Sequence, residues 1–242
     1  MKHCSSNTRR QGGFTLVEIA IVLMIVGLLI GGILRGQELI QSARVRNIID
    51  QKSAIQTAYV GFLDRYRMLP GDLTATQAAT VGNNAVAAVA TTGNGTIEIA
   101  TESILFFQNL TAAGFLSCGA CMSVTVEGPV ASIDNSPVNV YGAFLRVGNE
   151  ASSPLGTLRW YDSSAALLNR LVLYTGDTIP SQVFAEVDRK ADDGAPGTGQ
   201  LRFAIGGAAI GVCTTGLPLA VAGAANTWAN PSQGNCQGAW LF

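Results

Sequence analysis

Hydrophobic residues are concentrated at one place near the start of the chain. From Phe14 to Leu34 almost every position is apolar, and Glu18 is the only charged residue. The stretch is about 20 residues long, which is the length that a helix needs to span the hydrocarbon core of a bilayer. We therefore predict a transmembrane helix over residues 14–34 that carries a single acid.

Beyond Leu34 the pattern becomes amphipathic, and residues 35–69 are predicted to continue the same helix. Their apolar side chains recur mostly at intervals of three, four or seven positions, as expected for one helical face. These residues are Ile40, Ala43, Ile48, Ile55, Tyr59, Phe62, Tyr66 and Leu69. On the polar side, Arg46 and Asp50 are spaced for an i,i+4 ion pair.

The helix should end before Pro70, because neither Pro70 nor Gly71 continues a helix readily. It is therefore predicted to run from Phe14 to about Arg67. Residues 70–242 then form a globular head. The predicted fold class is α+β: a long N-terminal helix, apolar in its first half, packs through its amphipathic half on a C-terminal antiparallel sheet.

Within the head, strands are predicted where β-branched and aromatic residues are bounded by Gly, Pro, Asn or Asp. The predicted strands are Val124–Glu127, Val138–Val147, Leu158–Tyr161, Leu171–Thr175 and Leu201–Ile205. A helix is predicted over Thr101–Leu116 with Thr101 as its cap. Another is predicted from a cap at Ser181 to Asp193-Gly194, and Thr74–Ile99 is predicted to be a variable loop.

Residues 1–13 form a polar leader that contains Lys2, Arg9 and Arg10 and no acid. A secretory signal peptide places its cleavage site after the apolar stretch, in an A-x-A-like sequence. Here the polar segment precedes the apolar stretch, which has no such ending. Cleavage is therefore predicted before the apolar helix, which the mature protein would keep, and the basic leader marks that end as cytoplasmic.

The sequence Gly13-Phe14-Thr15-Leu16-Val17-Glu18 resembles the processing signature of type IV pilins and type II secretion pseudopilins. The resemblance implies that a prepilin peptidase cuts between Gly13 and Phe14 and methylates the new amino group of Phe14. It also implies that Glu18 meets the Phe14 amine of a neighbouring subunit. An acid within a membrane is costly and usually has a function, which agrees with such a role for Glu18.

The resemblance implies a structural subunit that waits in the bacterial inner membrane as a single-pass protein, with its head in the periplasm. Its partners would be prepilin peptidase, membrane lipid, other pilin or pseudopilin subunits and an inner-membrane assembly platform. With 242 residues, a minor pilin is favoured over a major one. The alternative is a membrane-anchored binding protein or adhesin that does not polymerise.

Four cysteines lie in the predicted head, and an even number in an exported domain suggests two disulfides. We favour the pairs Cys118–Cys121 and Cys213–Cys236, since the members of each pair are close in sequence. The C-x-x-C spacing also occurs in thiol oxidoreductases and zinc sites. A structural disulfide is favoured here, because a helix precedes the motif and no mature His could complete a zinc site.

Acidic residues cluster at Asp188, Asp192 and Asp193, near the end of a predicted helix. Calcium prefers such clustered oxygens, and some major pseudopilins bind calcium in a C-terminal loop. The EF-hand spacing is absent, however. The favoured interpretation is a helix end and turn in which these aspartates bond local backbone N–H groups.

Composition argues against two other classes of function. The formal net charge is −1, and removal of the leader leaves 12 basic and 16 acidic residues, which offers no basic surface for nucleic acid. The only His is in the leader, and neither a phosphate-binding loop nor a nucleophile with a base is recognisable. We therefore expect neither an enzyme nor a cofactor, with calcium as the sole candidate ligand.

Overall fold

The structure is a computed structural model that divides the chain into two compact units, Met1–Ala43 and Arg44–Phe242. It describes residues 13, 15–82, 84–88, 93–125, 131–151, 159–160, 168–205, 213–215, 227–229 and 234–242. The long helix and the antiparallel sheet that the sequence predicts are both present, so the α+β fold class is confirmed.

Helix α1 comprises Leu16–Tyr66, close to the predicted bounds. It ends where Arg67 adopts a left-handed conformation with φ of 55°, a conformation that commonly terminates helices. Arg67 is also held by an ion pair with Asp64 at 3.1 Å. The predicted stop before Pro70 is therefore confirmed.

The second half of α1 buries one face in the head. The buried residues recur at helical spacing, and they are Val45, Ile48, Ile55, Ala58 and Phe62. Ile40 was expected on this face but is 56% exposed. The buried face therefore begins at Val45.

A five-stranded sheet forms the centre of the head, with the strand order β1-β3-β7-β4-β2 and antiparallel pairing throughout. Its strands are β1 (Arg146–Ala151), β2 (Arg159–Trp160), β3 (Asn169–Tyr174), β4 (Leu201–Ile205) and β7 (Gly238–Leu241). A two-stranded ribbon joins β5 (Thr214–Thr215) to β6 (Thr227–Trp228). Since β7 lies between β3 and β4, the C-terminal residues are central to the sheet.

Alternation along the strands gives the sheet two apolar faces. Leu173, Leu201 and Trp240 join the buried face of α1 in the main core. Val172 and Ala239 belong instead to a second cluster, which also contains Trp160, Tyr174, Ala204 and Leu241. The helix therefore covers one face of the sheet, as the sequence predicts.

Three shorter helices complete the head: α2 (Ala75–Val81), α3 (Ser103–Ala112) and α4 (Ser181–Ala191). Helix α2 corrects the prediction that Thr74–Ile99 is only a loop. Thr74 and Gln77 form a reciprocal capping box there, so a local signal for this helix is present in the sequence.

Two predicted helix caps are wrong. Helix α3 begins after Glu102 rather than Thr101, and no side-chain bond caps it. Helix α4 begins after Pro180, whose fixed φ suits a helix start. The Ser181 hydroxyl donates instead to the Ala229 carbonyl at 2.9 Å, a contact that only the tertiary fold creates.

Two strand predictions are also wrong. Ala120–Ser123 is a 3-10 turn and Val124 lies outside any strand, while residues 126 and 127 fall outside the described part. In place of a strand over Val138–Val147, the Asn139 side chain accepts backbone N–H bonds from Tyr141 and Ala143 and closes a turn. The ladder begins only at Arg146.

The remaining strand predictions agree with the structure. Leu201–Ile205 is β4 and Leu171–Thr175 coincides with most of β3. For Leu158–Tyr161, the described residues Arg159 and Trp160 form β2, and the other two lie outside the described part. Strand β7 was not predicted, because Gly and Ala at its start have low β propensity.

Candidate functional site

The start of α1 is fixed by a cap at Thr15. The Glu18 N–H donates to the Thr15 side-chain oxygen at 3.3 Å and to its carbonyl at 3.1 Å. Thr15-x-x-Glu18 has the spacing of a capping box, a local signal that was not among the predicted helix caps. Glu18 consequently lies in the first helical turn, where the helix dipole favours a negative charge.

Glu18 is exposed, and so is Gly13. Residues 1–12 and Phe14 lie outside the described part of the chain. Cleavage between Gly13 and Phe14, methylation of Phe14 and the pairing of Glu18 with an amine therefore stay predictions.

The helix that follows Glu18 is long and apolar enough to cross a membrane, and no other helix in the described part of the chain is. Its aliphatic side chains are exposed, with Leu16 at 87% and Leu28 at 69%. A β-carbon at Gly27, Gly31 or Gly32 would meet no atom within 4 Å. This segment therefore presents an apolar surface to whatever surrounds it.

The structure pairs the four head cysteines as Cys118–Cys121 and Cys213–Cys236, with Cα atoms 5.3 and 5.7 Å apart. These are the pairs that closeness in sequence favours. The second disulfide ties the segment before β5 to the segment before β7. It therefore fixes the C-terminal strand to the ribbon.

The Cys118–Cys121 motif follows α3 and leads into the 3-10 turn. Cys118 is 9% exposed, Cys121 is fully buried, and both belong to the main core. A redox-active disulfide needs an accessible sulfur. The burial of this pair therefore supports a structural role.

Asp188, Asp192 and Asp193 come together at the end of α4, with candidate ligand atoms all within 4.8 Å of one another. Each carboxylate accepts hydrogen bonds from protein donors. Asp188 accepts from the Trp228 indole at 2.7 Å and from the Gly194 N–H at 3.2 Å. It is fully buried, whereas Asp192 and Asp193 are only partly buried or exposed.

The other two carboxylates close the turn between α4 and β4. Asp192 accepts from the N–H groups of Gln200 and Leu201. Asp193 accepts from the Ala195 N–H and the Thr198 hydroxyl. Six protein donors thus bond to the three carboxylates and hold the turn.

Burial raises the pKa of Asp188 to about 6, and the negative charges of Asp193 and Asp192 add to this effect. The bonds from Trp228 and Gly194 act in the opposite direction and lower it. The buried carboxyl therefore changes charge nearer to neutral pH than an ordinary aspartate does.

Lys52, a residue of α1, carries a positive charge, and its pKa is influenced by burial and by Asp192. Burial lowers the pKa of its ammonium group, and the charge of Asp192 partly offsets that effect. The ammonium lies over the Trp240 ring at 5.3 Å and donates to Gln56 at 2.6 Å. Neither Lys52 nor Trp228 was predicted to join this cluster, since each is distant from it in sequence.

Comparison with known proteins gives one match. Residues 8–34 match the family described as the prokaryotic N-terminal methylation motif. No curated protein and no solved structure matches the chain. The matched residues include Gly13, Phe14 and Glu18 and continue through the apolar part of α1, which is consistent with membrane anchoring. The chain therefore carries the N-terminal signature of type IV pilins and pseudopilins.

Proposed function

We propose that the chain is a structural subunit, a minor pilin or pseudopilin, that assembles into a type IV pilus or a type II secretion pseudopilus. The observation that supports this proposal is the methylation motif at residues 8–34. It leads directly into a helix of 51 residues whose apolar half is exposed. A disulfide-bonded sheet domain follows it in the same chain.

In this proposal, prepilin peptidase cuts between Gly13 and Phe14 and methylates Phe14. The subunit then waits in the bacterial inner membrane, with its leader end in the cytoplasm and its head in the periplasm. An inner-membrane platform moves it from lipid into a filament beside other pilin subunits. The apolar part of α1 would exchange lipid neighbours for helices, and neither environment is aqueous.

Glu18 is proposed to guide that transfer. Cleavage creates a positive amine on Phe14, and Glu18 lies about one turn along the helix. A carboxylate in hydrocarbon is strongly disfavoured unless it is paired. An incoming subunit that places its Phe14 amine beside Glu18 of its neighbour forms an ion pair that neutralises both charges. The need for this ion pair selects one axial stagger between the two helices.

The head is proposed to have a structural rather than an enzymatic role. Its disulfides lie in the core, and the aspartates at the end of α4 are occupied by backbone and side-chain donors. We propose that Asp188, Asp192 and Asp193 hold the turn between α4 and β4 without a bound calcium ion.

The test is Glu18→Val in cells that carry the complete assembly machinery, with filaments recovered by shearing. We expect the incorporated fraction to fall by about tenfold or more, because the Phe14 amine of a neighbour loses its partner in an apolar setting. The matched control is Glu38→Val, since Glu38 is exposed and paired to Arg35 within its own helix. That variant should assemble normally.

Mass spectrometry of the mature N-terminus is the companion measurement. A chain that begins at methylated Phe14 is expected in both variants and in the wild type. Normal incorporation of Glu18→Val, or an intact leader in the wild type, would favour an anchored protein that does not polymerise.

A further inference from the structure

A loop of the head contains an asparagine that is followed directly by a glycine. Asn94-Gly95 is the only such dipeptide in the chain, and both residues are exposed. Asparagine is a thermolabile residue, because the backbone nitrogen of the next residue can attack its side-chain carbonyl carbon. Glycine has no β-carbon to hinder this attack. The sequence therefore places a favourable context for asparagine deamidation on the surface of the head.

The reaction is intramolecular until its last step. The Gly95 nitrogen bonds to Cγ of Asn94, the bond between Cγ and Nδ2 breaks, and ammonia leaves with the proton of the Gly95 N–H. The product is a cyclic succinimide. Water then opens the ring and leaves aspartate or isoaspartate at position 94. The reaction therefore needs only the chain itself and solvent water.

In the folded head, the attacking nitrogen is bound to a buried acid. The N–H groups of Gly93, Asn94 and Gly95 all donate to the Asp72 carboxylate, and the bond from Gly95 is 2.7 Å long. Asp72 is 5% exposed. Hydrogen bonds to a carboxylate are among the stronger ones, and a nearby negative charge opposes the loss of a proton from the donor nitrogen. Asp72 therefore makes Gly95 a weaker nucleophile.

The side-chain amide of Asn94 is held at both of its polar atoms. Oδ1 accepts from the Thr96 N–H at 2.8 Å and from the Thr96 hydroxyl at 2.7 Å. Nδ2 donates to the Glu98 carboxylate at 2.8 Å. Ring closure moves this amide and makes its carbon tetrahedral, so these bonds must be distorted or broken. Both reacting groups are thus bound to other partners in the folded loop.

The acid that binds the loop is itself fixed to the core of the head. On one side of Asp72, the Gly71 N–H donates to the side chain of Asn109 in α3 at 2.8 Å. On the other side, Leu73 is fully buried in the main core. The position of the Asp72 carboxylate is therefore set by the packed part of the domain. Unfolding of the head would release the loop from it.

We propose that Asn94 is a self-modification site, at which the Asp72 carboxylate restrains deamidation in the folded head and unfolding of the head permits it. The new carboxylate at position 94 would stand against Glu98, which now accepts from the neutral amide, and like charges repel. The loop could not close again in the same way, so the reaction permanently marks a chain whose head has opened. This chemistry does not depend on assembly, so it stands or fails separately from the proposed function.

The rate of deamidation in the full chain, kept in detergent, tests the proposal. Peptide mapping by mass spectrometry follows the replacement of NH2 by OH at position 94, with the Asn135-Ser136 peptide as an internal reference. The folded chain should react about tenfold or more slowly than the same chain in denaturant with its disulfides reduced, because a bond to a carboxylate must first be lost. Equal rates in the two states would overturn the proposal.

Substitutions separate the effect of Asp72 from general protection by folding. Asp72→Asn should raise the rate in the folded head by about tenfold, whereas Asp177→Asn, the same change at an exposed acid outside the loop, should leave it unchanged. A slower reaction in Asp72→Asn would show that the carboxylate acts as a base, and it would overturn the proposal.

Thr96→Val is the second variant, and it decides the matter if tryptophan fluorescence shows that Asp72→Asn does not fold. It removes only the hydroxyl that donates to Asn94, so the rate in the folded head should rise by about threefold. An unchanged or lower rate in a folded Thr96→Val chain would contradict the restraint.

Discussion

The two units of this protein use hydrophobic residues in opposite ways. In the unit that ends at Ala43, large aliphatic side chains are exposed, as Ile25 is at 52%. In the unit that begins at Arg44, Ile55 on the same helix is 1% exposed. The residue type is the same, so the difference lies in what surrounds it. An apolar side chain can be satisfied by lipid, by another helix or by its own domain.

The surroundings of the glycines show the same contrast between the two units. A β-carbon at Gly27 would meet nothing within 4 Å, whereas one at Gly238 would come within 2.5 Å of the Phe184 ring. In the head that ring stacks on Trp228 with centroids 5.0 Å apart. The side chains of the head are therefore closely packed against fixed neighbours within the domain. The first unit, which is aliphatic and rich in glycine, is suited to exchangeable neighbours.

The largest expected effect comes from shortening one isoleucine side chain in each half of α1 and comparing the two variants. Ile55→Ala should lower the free energy of unfolding of the head by about 2–5 kcal/mol, because it leaves a cavity in the main core. Ile25→Ala should change it by less than about 0.5 kcal/mol, since that side chain has no core to leave. All three tryptophans lie in the head, so denaturation of the full chain in detergent can be followed by fluorescence. Equal effects would contradict the contrast.

The disulfides should differ in their contributions within the head. Cys213→Ala with Cys236→Ala opens a loop with a sequence separation of 23, and Cys118→Ala with Cys121→Ala opens one with a separation of 3. Loop-closure entropy predicts losses of about 3 and about 2 kcal/mol, respectively. The same denaturation assay measures both variants. A larger loss for the C-x-x-C pair would point to a further role for that motif.

The pH dependence of stability should reveal the buried Asp188. Its pKa in the folded chain is raised to about 6, while an aspartate in an unfolded chain has a pKa of about 3.9. Between these values the folded state holds a proton that the unfolded state has lost. The free energy of unfolding should therefore fall as pH rises through this window, by on the order of 3 kcal/mol.

Asp188→Asn is the matched variant for that measurement, since an amide keeps an oxygen for the Trp228 indole. The difference in stability between wild type and variant should change between pH 4 and pH 6.5 and be constant above it. A difference that is constant from pH 4 upward would show that Asp188 titrates normally.

The smallest expected effect is that of calcium on the head. Because protein donors already surround the carboxylates of Asp188, Asp192 and Asp193, millimolar calcium should leave the midpoint of thermal unfolding unchanged. Asp192→Asn should then respond like the wild type. A calcium-dependent rise in the midpoint that disappears in this variant would establish a cation site.

The local features of the fold could be predicted closely from the sequence. The bounds of α1 follow from a continuous apolar pattern and a Pro-Gly stop, and β4 follows from β-branched and aromatic residues. Predictions failed where a side chain found a distant or competing partner. Ser181 bonds to Ala229 instead of capping α4, and Asn139 closes a turn where a strand was expected.

The candidate sites also divide into those that neighbouring residues encode and those that depend on distant partners. The methylation motif and the cysteines can be located from sequence, because their chemistry lies in residue type and spacing. The environment of the aspartates could not be predicted in this way. Trp228 is 40 residues from Asp188, and Lys52 lies in α1, far from the aspartates along the chain. Contacts of this kind depend on how the ribbon and α1 pack against α4.

By itself, the sequence determined that this protein has an N-terminal methylation motif, an apolar helix with one acid and an α+β head, because each is encoded by neighbouring residues. Only the tertiary structure decided which face of α1 is buried, that β7 lies in the middle of the sheet and that donors surround the aspartates. Those outcomes depend on contacts between distant segments, whose energies no local pattern contains.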